Sequence, residues 1–359
     1  MAEQPILRCR QQEFELDPPL RNARGQWRSR RTLIVQIRDG LGRVGQGEAA
    51  PLPGYSLDTL AAAEQALTRI PAAELQQVLL LERPVALLRA VAALVPAELP
   101  SARFALETAL LDRLGIEQQR PLWSLLAELL PAAVPPLTEL PLCALLPSAD
   151  PTQALRAAAQ HFGLGVRCFK LKIGPDRLQP AQAELLAALR AELGDRIALR
   201  LDANQSLLRA ELRATFDALA RYRPEFVEEP LADAQRGELD TLPCGWALDE
   251  SLQRIDALRL QSLSSSPACR ALVLKPTALG GFGSCAELAA HARARGKAVV
   301  VSHALEGPFG WLACVHLALA LGPGAAAGLW PMASRGVAPA VIRGGKLQRP
   351  SRPGLGVEA

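Results

Sequence analysis

The sequence predicts an α/β protein, a closed barrel of parallel strands preceded by a smaller α+β region. Two observations carry this. Beyond a Pro-rich stretch at Pro131–Pro136, strand-patterned and helix-patterned segments alternate, which is the mark of parallel βα units. Polar residues able to do chemistry then fall at successive strand ends: Lys172, Asp202, Glu228, Asp249 and Lys275, at steps of 30, 26, 21 and 26 residues. An open doubly wound sheet would share that rhythm. Only a barrel brings all the strand ends to one central mouth.

Each element has a local reason. In the first part, Ile6–Leu16, Thr32–Arg38 and Val44–Ala49 read as strands joined by Gly- and Arg-rich turns. Helices are expected over Ser56–Ile70 and Ser101–Leu114, each opening on a serine able to cap free N–H groups, the second stopping at Gly115. After the Pro-rich linker, Asp150-Pro151 opens a helix that stops near Gly163. Val166–Ile173, Ile197–Ala203, Phe226–Glu229, Trp246–Asp249, Ala271–Lys275 and Ala298–Ser302 read as strands, with Gly328–Trp330 as the last. Helices are expected at Pro180–Leu193, closed by Gly194, at Ser206–Tyr222, and after a Ser284/Glu287 capping box, ending at Gly296.

Composition narrows the function. The 359 residues suit a large barrel plus a smaller domain, and 49% are hydrophobic, enough for a sizeable core. Aromatics are only 4%, so Leu, Ala and Val must fill it. The formal charge of +4 is mild and forms no basic stripe, which argues against nucleic acid as a partner. The seven cysteines are odd in number and contain no C-x-x-C pair, so framework disulfides and a zinc site are both disfavoured and a reducing cytoplasm fits. The N-terminal residues lack an apolar signal core, and the longest apolar stretch, Trp311 to Leu321, is too short to span a bilayer. Membrane insertion is not expected, and nothing in the residues sets an oligomeric state.

The strand ends carry the chemistry. In Cys168-Phe-Lys-Leu-Lys172 the two lysines share one face. Burial and mutual repulsion would lower a lysine's pKa and make it a usable base; taken alone, K-x-K reads better as a solvated edge strand. In Arg200-Leu-Asp-Ala-Asn204, Arg200, Asp202 and Asn204 share a face. Phe226-Val-Glu-Glu-Pro230 offers adjacent acids of which one can point inward, and Trp246-Ala-Leu-Asp-Glu-Ser251 repeats the design. Any one acid could equally cap a helix. Three carboxylates ending three successive strands suit a hard, oxygen-preferring cation such as Mg²⁺, and no His or Cys ends those strands to favour zinc. Lys275 follows one strand later, so Lys172 and Lys275 would face each other across the metal. A carboxylate substrate held there would have its α-proton acidified, and the cation would stabilise the resulting enediolate.

In this order the motifs K-L-K, R-L-D-A-N, V-E-E-P, D-E-S and L-K-P resemble the enolase superfamily, in its muconate-lactonizing-enzyme-like branch, over nearly the whole chain. The resemblance implies a (β/α)7β barrel with an N-terminal α+β capping domain. The implied limits are residues 1–130 for the capping domain, 131–330 for the barrel and 331–359 for a segment returning to the capping domain. It implies Asp202, Glu228 and Asp249 as ligands of Mg²⁺, with Mn²⁺ able to substitute. Glu228 is preferred to Glu229 because relatives reading E-Q-P keep only the first acid. Lys172 matches the acid/base lysine, Lys275 the lysine on the opposite face and Lys170 a supporting cation; Asn204 and Glu250 match residues that orient the ligands.

Within that branch, Pro19–Trp27, Gly47-Glu-Ala-Ala-Pro-Leu-Pro-Gly54 and Arg200 resemble the dehydratases of menaquinone and phylloquinone synthesis. Those features match a loop closing over the substrate, a capping-loop signature and an arginine on a succinyl carboxylate. Ser302, Gly328 and Leu329 are further expected substrate contacts, and the resemblance does not say which residues of the loop near Arg24 touch substrate. Gly328-Leu-Trp-Pro331 lacks the acidic segment by which dipeptide epimerases bind an amine. The implied reaction is syn dehydration of 2-succinyl-6-hydroxy-2,4-cyclohexadiene-1-carboxylate to 2-succinylbenzoate, with Lys172 removing the α-proton and returning it to the leaving hydroxyl. The competing readings are an N-acylamino acid racemase using both lysines, a non-catalytic barrel scaffold, and a Schiff-base lyase. His303, His161 and His316 read as structural, Gly280–Gly283 as a flexible loop rather than a phosphate cradle, and the Arg28–Arg31 cluster as solvated or loop-anchoring.

Overall fold

The computed structural model describes residues 5–22, 25–131, 134–147, 150–322, 324–331 and 341–357. The chain opens with an antiparallel sheet of β1 (Ile6–Asn22), β2 (Gly25–Arg38) and β3 (Val44–Ala49). Helices α1 (Leu60–Thr68), α2 (Ala72–Leu79), α3 (Pro84–Leu94), α4 (Pro100–Gln118) and α5 (Leu122–Leu126) follow. Helix α4 crosses β3 at a distance only glycine permits. A Cβ at Gly45 or Gly47 would lie 2.0 Å from the backbone oxygen of Ala109 or Ala105, respectively.

Next come β4 (Glu139–Pro141), β5 (Cys143–Leu145), α6 (Pro151–Gly163), β6 (Cys168–Lys172), α7 (Pro180–Leu193), β7 (Ala198–Asp202), α8 (Leu212–Ala220) and β8 (Phe226–Glu228). After them lie α9 (Arg236–Leu239), β9 (Trp246–Leu248), α10 (Ala257–Ser264), β10 (Cys269–Leu274), α11 (Pro276–Leu279), α12 (Phe282–Arg293), β11 (Ala298–Val301) and α13 (Pro308–Ala320). Strands β5 to β11 pair in sequence order and in parallel. The residues after α13 close the barrel. Ala327 bridges Leu142 and Gly328 bridges Ser302, so this short segment pairs with both edges and acts as the eighth strand. The chain finishes with β12 (Ile342–Arg343) and β13 (Lys346–Gln348), which pairs with β4. No helix among the described residues is long and apolar enough to cross a membrane.

The strands' two-residue period divides the barrel into two cores. Phe169, Leu171, Leu199, Leu201, Leu272, Leu274, Val299 and Val301 face outward into the large core beneath the helices. Phe226, Ala247, Ala271, Val273 and Val300 form a small apolar plug inside. The polar strand ends sit above that plug.

Three buried carboxylates fasten the N-terminal part to the rest. Glu48 accepts from the Gly307 and Gly310 amides at the start of α13. Glu107 accepts from the Phe282 amide at the start of α12. Asp112 accepts from the Gln46 and Leu355 amides. Each satisfies N–H groups that would otherwise be orphaned, two of the three at helix N-termini.

Several expected boundaries move. Ser56 does not cap α1; Thr59 does, its hydroxyl accepting from Ala62. Ser101 lies inside α4, behind Pro100 at the first helical position, and gives its N–H and O–H to Asp58. Helix α4 runs past Gly115, which is there for close packing: a Cβ would lie 2.9 Å from Gly354 Cα. The helix expected from Ser206 begins only at Leu212, and the Ser284/Glu287 box does not start α12, which begins at Phe282 on the Glu107 carboxylate. Gly280–Gly283 is accordingly a tight junction between α11 and α12 and not a flexible loop.

Candidate active site

The parallel register sets the site. Lys172 pairs with Asp202, and Asp202 with Glu228, at the C-terminal ends of β6, β7 and β8. Asp249 and Lys275 immediately follow β9 and β10. Asp202 is fully buried, Glu228 and Asp249 are 2% exposed and Lys275 is 8% exposed.

The ammonium of Lys170 bridges Glu228 (2.7 and 2.8 Å) and Asp202 (2.7 Å). Lys172 Nζ lies 2.5 Å from Asp202 Oδ2 and 2.8 Å from Asn204 Oδ1. Lys275 pairs with Asp249 Oδ2. Lys172 on the second barrel strand and Lys275 after the sixth thus hold different members of one carboxylate cluster. Asn204 donates its side-chain N–H to Glu250 Oε1 at 2.9 Å and its backbone N–H to Asp202 Oδ1 at 3.0 Å.

Glu229 turns away from the cluster. Its carboxylate accepts from the Asp249 amide (2.7 Å), the Ser251 amide and hydroxyl (2.9 Å each) and the Gln205 side chain (2.9 Å). It therefore props the end of β9 while Glu228 points inward. Asn204, Gln205 and Glu229 all have positive φ, at 44°, 61° and 42°. Non-glycine residues in that region cost of order 1–3 kcal/mol each and cluster at functional sites. Here they follow directly on β7 and β8, and the hydrogen bonds just described hold them.

Electrostatics departs from the simplest expectation for the lysines. Burial pulls the Lys170 and Lys275 ammoniums down, but the surrounding carboxylates, Asp202 for Lys170 and Asp249 for Lys275 foremost, push both above the ordinary lysine range. Mutual repulsion does not win because acids stand between the lysines. Burial raises Asp202, yet Lys170 and Lys172 hold it well below the usual carboxylate range. Burial and then Asp202 push Glu228 well up, and burial and then Asp249 push Glu250 up to about 7.

Whether a divalent cation fits can be judged from charge. Four buried carboxyls (Asp202, Glu228, Asp249, Glu250) face three ammonium groups, an excess of one negative charge when all are ionised, and Glu229 stands behind Asp249. The raised proton affinity of Glu228, Glu229 and Glu250 is the response to burial and crowding. Among the described residues no three acidic, imidazole or thiol groups form a ready-made cage. The Lys170 ammonium stands between Asp202 and Glu228. The donor set is all carboxylate, which suits Mg²⁺ or Mn²⁺ and not zinc.

Tyr55 is a member of the site that the sequence reading missed. It follows the Gly47–Gly54 segment, is 8% exposed and donates to Asp249 Oδ1 at 2.8 Å. The Lys275 ammonium lies 4.5 Å from its ring centroid. Burial and then Asp249 keep the phenol well above its usual range, so it stays a donor. Tyr55 packs with Leu16, Leu52, Ala278, Ala304 and Leu305, and Trp27 lies against this group. Arg30 fastens the cover, donating to the carbonyls of Ala50, Pro51 and Leu305.

Other expected contacts lie elsewhere. Arg200 does not reach the mouth. Its guanidinium turns toward the N-terminal end of the barrel, 2.7 Å from Glu225 Oε2 and 2.6 Å from the Ala326 carbonyl. A partner already in place explains the direction: Glu225 directly precedes β8. Leu329 is fully buried in the outer core, and its carbonyl accepts from Trp311 Nε1. Ser302 and Gly328 meet each other at the barrel closure, Ser302 Oγ donating to the Gly328 carbonyl at 3.2 Å. Arg24 lies outside the described residues. His303 Nδ1 accepts from the Leu305 amide and buried His316 Nδ1 from the Trp123 amide, both structural contacts.

The Mandelate racemase / muconate lactonizing enzyme, N-terminal domain family matches residues 6–127, and the Enolase C-terminal domain-like family matches residues 153–359. The chain belongs to the enolase superfamily. Superfamily relatives similar to it include the o-succinylbenzoate synthase of Thermosynechococcus vestitus, 34% identical over 312 residues (85% of this chain and 86% of the relative). That of Yersinia enterocolitica is 30% identical over 313 residues (84% and 82%). Among solved structures, a muconate lactonizing enzyme from Pseudomonas fluorescens complexed with muconolactone superposes with TM-score 0.85 at 22% identity, covering 100% and 97% of the two chains. A dipeptide epimerase from Methylococcus capsulatus complexed with Mg and the dipeptide L-Arg-D-Lys gives 0.78 at 27%, covering 98% of each. The enolase-type fold, a capping domain and a curled parallel sheet, is as expected from the motifs.

Proposed function

We propose that this enolase-superfamily chain is an o-succinylbenzoate synthase, a hydro-lyase that dehydrates 2-succinyl-6-hydroxy-2,4-cyclohexadiene-1-carboxylate to 2-succinylbenzoate for menaquinone or phylloquinone synthesis in the cytoplasm. The observation that carries the reading is the placement of Lys172 and Lys275, from the second and sixth barrel strands, on a shared cluster of buried carboxylates. The likeness to o-succinylbenzoate synthases over most of both chains supports the choice of reaction.

Asp202, Glu228 and Asp249 would hold Mg²⁺ or Mn²⁺. When bound, the metal supplies positive charge that acidifies the C–H beside the substrate carboxylate. Lys172 is the base. Its ammonium nitrogen lies 2.5 Å from Asp202 Oδ2 and 2.8 Å from Asn204 Oδ1, which aim it at the mouth. It removes the α-proton, then donates it to the hydroxyl leaving from the same face. Lys275, kept cationic by Asp249 and backed by the Tyr55 ring, stabilises the charge that develops on the substrate. The cover formed by Tyr55, Leu52 and Leu305 shields the Lys275 and Asp249 side of the mouth.

Purified protein supplied with Mg²⁺ and this substrate tests the reading; formation of the aromatic product is the expected result. The presence of both lysines also favours a second reading, N-acylamino acid racemisation. Incubation of N-succinyl amino acids in D₂O separates the two: α-proton exchange with racemisation rivalling dehydration would favour the racemase.

A further inference from the structure

At the opposite end of the barrel, Cys143 and Cys168 open adjacent parallel strands and are direct Cα partners in the β5–β6 register. In-register neighbours in a sheet lie about 4.8 Å apart, inside the window of about 4.4–6.8 Å that a disulfide spans. Cys168 lies two residues before Lys170, so it shares the interior face, and its register partner Cys143 shares it too. Both thiols are free and buried.

Burial alone would make such thiols inert. Two features argue otherwise. A cavity of about 220 Å³, lined by Cys168, Arg167, Arg200, Glu225, Ala326 and Lys346, reaches Cys168 from the N-terminal face. Glu225 and Lys346 are exposed, so it opens to solvent, with room for several molecules of water size. Cationic groups also surround the pair. Burial raises the Cys143 thiol, but a hydrogen bond from Cys168 and the charges of Arg200 and Lys170 hold it below the ordinary range, while Cys168 is held above it. The dehydration chemistry uses neither cysteine.

We propose that Cys143 and Cys168 form a dithiol that closes to a disulfide when a small hydroperoxide enters this cavity. The sulfur of one cysteine of the pair takes the terminal peroxide oxygen as the O–O bond breaks, and its proton passes to the departing alkoxide or hydroxide. The other cysteine then attacks the sulfenic sulfur, the S–O bond breaks, and the hydroxide leaves with that thiol's proton as water. Two thiols are oxidised to one disulfide, and the peroxide is reduced to water and its alcohol, or to two waters from hydrogen peroxide.

The test treats the full chain with hydrogen peroxide at neutral pH, blocks remaining thiols in acid, and digests it without reductant. The expected product is a Cys143–Cys168 linked peptide pair, two hydrogens lighter than the free thiols and restored by dithiothreitol. In Cys143→Ser and in Cys168→Ser the linked pair should vanish, and dimedone should trap a sulfenic acid on the remaining cysteine of the pair in at least one of the two variants. Oxidation confined to half-exposed Cys9, or Cys168 advancing to sulfinic acid in the wild-type chain without a link, would overturn the proposal.

Discussion

The Tyr55 hydroxyl donates to Asp249 Oδ1 at 2.8 Å across 194 positions of sequence, tying the N-terminal cover to the end of the fifth barrel strand. Tyr55→Phe removes that bond and keeps the ring beneath Lys275. Groups that orient metal-binding carboxylates typically contribute 10–100-fold to affinity. Mg²⁺ binding by calorimetry should therefore weaken about tenfold. An unchanged affinity would mean that Tyr55 merely fills space.

Replacing the two lysines should have different consequences. Lys172→Ala removes the only base the account provides, so turnover should fall by about 10²–10⁴-fold or more, the usual contribution of general acid–base catalysis. Lys275→Gln removes a stabilising charge, worth about 10²–10³-fold in comparable sites. Substrate α-proton exchange in D₂O should survive in neither Lys172 variant nor any other lacking that base. Exchange persisting in Lys172→Ala would assign the proton to another group.

Arg200 should report on stability and not on substrate. Arg200→Met breaks its contacts with Glu225 and the Ala326 carbonyl. Hydrogen bonds to charged groups contribute about 1.5–3 kcal/mol, so urea unfolding should show a loss of about 2 kcal/mol with KM unchanged. A raised KM at unchanged stability would return Arg200 to the substrate site.

The His316 ring stands buried between the Trp123 amide and the Leu355 carbonyl, and burial lowers its pKa to about 4. An unfolded histidine titrates near ~6.5. The unfolded chain thus takes up a proton that the folded chain refuses, and this contribution falls as pH drops from about 6.5 toward 4. The difference corresponds to about 3 kcal/mol. Urea unfolding across that range should show a shallower pH dependence in His316→Asn than in the parent. Equal slopes would place the acid sensitivity in other groups.

Much of the site was legible because its residues end strands. Strand period and spacing put Lys172, Asp202, one of the adjacent acids Glu228 and Glu229, Asp249 and Lys275 at one mouth, the resemblance chose Glu228, and the register sets Lys172 beside Asp202 and Asp202 beside Glu228. Tyr55 was not legible, since a tyrosine after a Pro- and Gly-rich loop has no local signal for a partner so distant in sequence. The helix starts went wrong for a related reason. Ser101 and Ser284 look like caps locally, but Pro100 and the remote Glu107 decide where α4 and α12 begin. Arg200 lies on the expected interior face; that face has two ends, and Glu225 draws the long side chain to the far one.

The most direct test of the central claim is the rate of dehydration of 2-succinyl-6-hydroxy-2,4-cyclohexadiene-1-carboxylate by purified protein, before and after chelation and with Mg²⁺ restored. The account predicts turnover that is lost on chelation, returns with Mg²⁺, and stays absent in a folded Asp202→Asn variant. Turnover indifferent to chelation, or none from folded protein saturated with Mg²⁺, would contradict it.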